Sequence, residues 1–447
     1  MGKLLAGLVA VIAAYAFADL DGSYILPQDH TAIQYRTAPV TDRIVSLQNQ
    51  LREGKTKLRF DDRHGYLEAL LKALNVPYDS QLLVYSKTSF QAPRISPRMA
   101  RALYFTDDVF VGWVPGGDVL EIASVDPRQG VIFYTIDQDP ALPQRIERRD
   151  ECLQCHASGG TLGVPGLAVR SVYVERTGMP LFHAGGFVTD HRSPLSQRWG
   201  GWYVTGTHGK QRHMGNVFVE DRDHPDELDR ETGANVTDLK SRIDVGRYLA
   251  PTSDIVALMV LEHQTRMTNL ITRVGWETRL ALSDQLAMNQ ALKEPEDQVS
   301  ESAHRRINNA VEALLKYTLF ADEALLDAPV QGAPAFSKEF QERGPRDHTG
   351  RSLRELDMTR RMFKYPCSFL IYSEAFDALP KVASERFYRR LWEVLTGVDQ
   401  TPVYARLTSA DRKAIKEILL DTKHNLPDYW RVVHAGQVAP VPPQSVR

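Results

Sequence analysis

The sequence predicts an α+β protein in which a mixed, antiparallel β-rich region precedes a mainly helical one. Three observations carry that expectation. Five short runs rich in β-branched and aromatic residues succeed one another between Leu82 and Ile136. Past Ile255 apolar residues recur instead at three- and four-residue spacing. A chain of 447 residues is long enough for two or three packed units. The expected organisation is a signal peptide over 1–18, an α+β region over 19–250, a helical region over 251–436 and a disordered tail over 437–447.

The elements follow in order. Lys3 precedes an apolar run from Leu4 to Ala18 that ends in Ala16-Phe17-Ala18, a small-x-small pattern expected to be cleaved. That run is short for a membrane span, and no later segment is longer and as apolar, so no integral membrane segment is expected after cleavage. Thr41 opens an amphipathic helix carrying Ile44, Leu47 and Leu51, and Tyr66 to Leu74 repeats the pattern before Pro77. Strands are expected over Leu82–Tyr85, Ala102–Phe105, Val109–Val114, Val119–Val125 and Val131–Ile136, with Asp126 to Gly130 as a hairpin turn. Strand-like segments resume at Leu167–Val174, Leu181–Phe187 and Trp202–Thr205. Glu220 to Glu227 reads as a solvated acidic loop, since it lacks the glycine and terminal glutamate of a calcium loop.

Val256, Met259, Val260, His263, Met267, Leu270, Ile271 and Val274 then form one stripe of a helix. Further helices are expected through Ala303 to Leu314, through Phe387 to Val394 with a stop at Gly397, and from the cap Thr408 through Leu419. Asp327 to Gly350, rich in Pro and Gly, reads as a linker. The formal net charge of -2 argues against nucleic acid or a polybasic membrane contact.

Between the two strand-rich stretches lies Cys152-Leu153-Gln154-Cys155-His156. Two thiols at this spacing followed at once by an imidazole are the pattern of covalent c-type haem attachment. With three cysteines and thirteen histidines in the chain, the motif would arise by accident in roughly one chain in a thousand. A structural zinc site would need a second ligand pair, and no second CxxC exists. A thioredoxin-like pair would follow a buried strand rather than the charged run Arg145 to Glu151. Cys152 and Cys155 are therefore expected to form thioethers to one haem c, with His156 as the proximal iron ligand. Such attachment occurs outside the bacterial cytoplasm, which agrees with the leader and places the chain in the periplasm. Cys367 is left over and reads as a buried free thiol.

The opposite face of the iron is open to several candidates. His263 sits inside the apolar stripe, where an imidazole is either a hydrogen-bonded core residue or a distal ligand. Met267 is a thioether alternative one turn on, and Glu262 reads as a salt-bridged or solvated neighbour. Trp199 to Asn216 offers His208, His213 and Met214 among Trp199, Trp202 and Tyr203. An open sixth position is the third alternative. Arg148, Arg149 and Arg170 flank the motif and read either as partners for haem propionates or, equally, as surface charge.

The placement of the motif between strands resembles PAS-like haem domains, with Cys152 to Val174 as the matching stretch. The chain as a whole resembles the large single-haem periplasmic c-type cytochromes. It is near the size of di-haem peroxidases but has one CxxCH motif where those have two. The resemblance implies electron transfer through the covalent haem and a redox partner protein. A haem-based redox or gas sensor is the alternative, and a single-haem oxidoreductase the third reading. No G-x-S-x-G, P-loop, H-E-x-x-H or dinucleotide fingerprint is present.

Overall fold

A computed structural model describes residues 24–142 and 144–431. The expected signal peptide over 1–18 and tail over 437–447 lie outside the described residues. The architecture is α+β: an antiparallel sheet of seven strands comes first and a mainly helical region follows.

Two helices, α1 (Arg43–Arg52) and α2 (Leu67–Ala73), precede the sheet. Asp42, not Thr41, caps α1, its carboxylate accepting from the Ile44 N–H at 2.9 Å. The strands are β1 (Leu82–Val84), β2 (Arg101–Phe105), β3 (Val109–Trp113), β4 (Val119–Asp126), β5 (Gly130–Asp137), β6 (Ile146–Arg148) and, later, β9 (Trp202–Tyr203). Their order across the sheet is β6-β5-β4-β3-β2-β1-β9, a meander with one late strand added at the β1 edge. β7 (Val169–Val172) and β8 (Gly186–Thr189) form a separate hairpin. The charged text around Glu147 hid β6. It is an edge strand that buries only Ile146, and an edge tolerates charge on its other positions.

The register fixes which side chains share a face. Tyr104, Val111, Ile122 and Tyr134 are cross-strand partners on one face. There Tyr134 Oη donates to Asp42 at 2.7 Å, so this face packs under the N-terminal helices. Leu103, Gly112, Glu121 and Thr135 are partners on the opposite face, with Phe105, Phe110, Ala123 and Phe133 beside them. The short helix α3 (Leu153–His156) lies against that second face.

The helical region begins with α4 (Ile255–Leu292), capped by Asp254, which accepts from the Ala257 N–H at 2.9 Å. Its first half is buried on nearly every side rather than along one stripe, because it packs both on α5 (Glu301–Thr318) and on β5 and β7. Inside the expected linker the chain forms α6 (Pro334–Glu342). Pro334 starts it, and Phe336 and Phe340, one turn apart, are buried. After α7 (Glu374–Asp377) come α8 (Lys381–Leu395) and α9 (Ser409–Thr422), the latter with the expected capping box of Thr408 and Asp411. Most of the buried apolar residues form one cluster that runs from Leu26 to Trp430. Among the described residues no helix is long and apolar enough to cross a membrane.

Candidate functional site

A turn over Asp150–Cys152 runs directly into α3, with Leu153 buried beneath it as the anchor. Positions three apart on such a turn share a face. Cys152 is half-buried and Cys155 exposed, and all three cysteines of the chain are unpaired. Burial, reinforced by Glu121 and Glu151, pushes the Cys152 thiol up to about 11.

His156 is held at three points. Its Nδ1 lies 3.0 Å from the Gly166 carbonyl, its own carbonyl accepts from the Gly166 N–H at 2.9 Å, and its ring lies 4.8 Å from that of Phe133. A carbonyl accepts only, so Nδ1 carries the proton and Nε2 keeps its lone pair. Burial pulls the imidazole below its ordinary pKa, which keeps that lone pair available near neutrality.

The loop that supplies Gly166 is itself fixed. Thr161 Oγ1 donates to the Val164 carbonyl at 2.8 Å, and Arg273 of α4 donates to the Leu162 carbonyl at 2.5 Å. The Asn269 amide, also on α4, takes both backbone groups of Leu167: the N–H donates to Oδ1 at 3.2 Å and Nδ2 donates to the carbonyl at 2.7 Å. A Cβ on Gly166 would overlap the Asn269 amide, so only glycine permits this approach.

Around the motif the protein presents a floor and a wall. The floor is the second face of the sheet, with Phe133, Ala123 and Gly112 beside the Arg101–Glu121 ion pair; a Cβ on Gly112 would strike the Arg101 guanidinium. Both Arg101 and Glu121 act electrostatically on His156. The wall is the β7–β8 hairpin. Val188 packs against Gly160, and Arg170, its cross-strand partner, is exposed and bears on His156. Phe182, just before β8, is 69% exposed, and Phe90, next to the Gln91 that bonds Glu121, is 78% exposed. These are the two most exposed large apolar side chains among the described residues.

The structure places the distal candidates elsewhere. His263 is fully buried: its Nδ1 lies 2.8 Å from His191 Nδ1 and its Nε2 2.8 Å from Ser368 Oγ. His213 is buried edge-on to Trp199, its Nδ1 accepting from the Gly215 N–H at 2.9 Å, and His208 Nε2 accepts from the Asn235 N–H at 3.0 Å. Met214 and Met267 receive the hydroxyls of Ser171 and Thr318. Neither His263 nor His213 shares a hydrogen bond or ring contact with Cys152 to His156. Glu262 is not solvated; it forms a fully buried ion pair with Arg198 at 2.9 Å. Of the flanking arginines, Arg148 is turned to Tyr35 and Asp150, Arg149 bonds Thr135 and Glu147, and Arg170 is exposed. Cys367 is fully buried, as expected.

Phe133, Gly166, Asn269 and the Arg101–Glu121 pair belong to the site without any local sequence signal. They are brought to it by strand register and by the length of α4, and only Gly166, beside Pro165, hinted at a close approach. No family model, curated protein or solved structure matches the chain.

Proposed function

We propose that the chain is a periplasmic mono-haem c-type cytochrome that carries electrons through one haem bound at Cys152 and Cys155, with His156 Nε2 on the iron. The observation that carries this reading is the Nδ1–Gly166 hydrogen bond of His156. It fixes the tautomer and leaves Nε2 with its lone pair, as iron ligation requires. The half-buried and exposed thiols lie on the same turn, accessible for thioether formation. Bound there, the haem supplies a ferrous–ferric couple. Val188 and the exposed Arg170 of the β7–β8 hairpin would border a haem held at these residues, Arg170 supplying a cation suited to a propionate. A redox partner protein is the expected source or sink of the electron.

One observation favours a second reading, a haem-based sensor or single-haem oxidoreductase with a displaceable sixth ligand. His263 and His213 are occupied inside the core. The intact mass of protein exported from a host with haem-attachment machinery tests the primary claim: it should exceed the polypeptide mass by one haem, and Cys152→Ser with Cys155→Ser should abolish the excess. An unmodified wild-type mass would refute it.

A further inference from the structure

Behind the hairpin that walls the proposed haem site lies a cluster of buried ionisable groups. Val188 of β8 faces Gly160 in the haem loop; the next residue, Thr189, points the other way and lies beside Glu262. Glu262 is fully buried, its Oε2 accepts from Arg198 at 2.9 Å, its Oε1 has no partner at ordinary hydrogen-bond distance, and the nearby Thr189 hydroxyl favours its charged form. Arg198 also donates to the His191 carbonyl. His191 Nδ1 meets His263 Nδ1 at 2.8 Å, so one proton lies between two imidazoles, and His191 Nε2 is buried without a partner. Both rings stack with Tyr317 of α5, His191 with centroids at 4.0 Å.

Charged groups face this cluster from every side. The segment after β8 contributes Asp190, Arg192 and Arg198; α4 contributes Glu262 and Arg266; beyond α5 stands the buried Glu323, faced by Arg198, Arg361 and Arg406. Asp190 is ion-paired with Arg192. Glu262 is the carboxylate left with a free oxygen.

We propose that Glu262 is a proton acceptor coupled to the haem, taking one proton from solvent when a one-electron donor reduces the iron and releasing it on oxidation. The inference rests on the haem reading above. Reduction removes one positive charge from the iron on one side of the hairpin, and in a low-dielectric interior that change raises the proton affinity of a carboxylate on the other side. The proton binds at Oε1, the carboxylate oxygen that Arg198 leaves unpaired. Burial, partly offset by Arg198, already holds Glu262 up to about 7, where a modest change in iron charge alters its occupancy.

The test is a potentiometric titration of the haem-loaded protein from pH 5 to 9, with dithionite as donor. A tenfold gain in proton affinity on reduction gives a fall in midpoint potential of about 59 mV across the window. The wild type should show that fall centred near neutrality, Glu262→Gln should be flat there, and Thr189→Val should move the fall to higher pH. A flat wild-type curve overturns the proposal, as does a fall that both variants retain unchanged. If Glu262→Gln does not fold, the shift in Thr189→Val decides. Failure of the haem reading is seen separately, as the absence of a haem spectrum before any titration.

Discussion

Asn269 is the residue on which the geometry of His156 depends most, although it touches no part of the Cys152–His156 motif. Its amide satisfies both backbone groups of Leu167 from a position 1% exposed to solvent. Asn269→Leu keeps the volume and removes both partners. Two backbone groups left unpaired in the interior cost about 1–3 kcal/mol each, partly relieved by local adjustment, so a loss of about 3 kcal/mol is expected. With an unfolding entropy of about 2.1 cal/mol/K per residue, that lowers Tm by about 3 °C in a chain of this length. Asn269→Asp keeps the acceptor for the Leu167 N–H and loses the donor, so it should fall between. Calorimetry and urea unfolding measure the loss, and the haem absorption spectrum reports whether the Gly166 carbonyl still orients His156. A stability change under about 0.5 kcal/mol with an unaltered spectrum would refute the claim that α4 positions the proximal ligand through this clamp.

Three further outcomes are expected. Glu262 has its pKa raised from 4.5 to about 7, chiefly by burial; its native state therefore binds the proton more tightly than the unfolded chain, and its contribution is fully present below about pH 4.5 and lost as pH rises through about 7. The loss is about 3 kcal/mol, so urea unfolding should show a decline over that window in the wild type that Glu262→Gln lacks. Phe133→Ala removes the ring 4.8 Å from His156 and should cost about 3 kcal/mol while broadening the haem absorption bands; unchanged bands would show that the ring does not support the ligand. Carbon monoxide added to the reduced protein should leave the spectrum unchanged if the iron is six-coordinate and serves as a carrier, whereas binding would favour the sensor or oxidoreductase reading.

The meander was legible because each strand is a short β-branched or aromatic run bounded by turn residues; Val119 to Gly130 and onward to Ile136 shows the pattern most clearly. Ile146 to Arg148 was not, since an edge strand needs only one buried side chain and the charges at 147 and 148 carry no alternation signal. The helix at Pro334 was masked by the prolines and glycines on either side of it, although Phe336 and Phe340 are spaced one turn apart. At the site, the CxxCH text announces its chemistry locally, whereas its supports lie far away in sequence: Asn269 is 102 residues from Leu167, and Phe133 comes from a strand that precedes the motif. The apolar stripe on α4, with His263 inside it, shows the converse. His263 could be either a hydrogen-bonded core residue or a ligand, because periodicity reveals that a side chain is buried but not which groups meet it; its partners, His191 and Ser368, come from other elements and make it the former.

The central claim, one covalent haem on Cys152 and Cys155 with His156 as its proximal ligand, is tested most directly by the pyridine haemochrome of purified exported protein after acid-acetone extraction. The account predicts a c-type haemochrome that stays with the polypeptide at one haem per chain and is lost in the double serine variant. Haem that extracts into the solvent, or a protein that carries none, would contradict it.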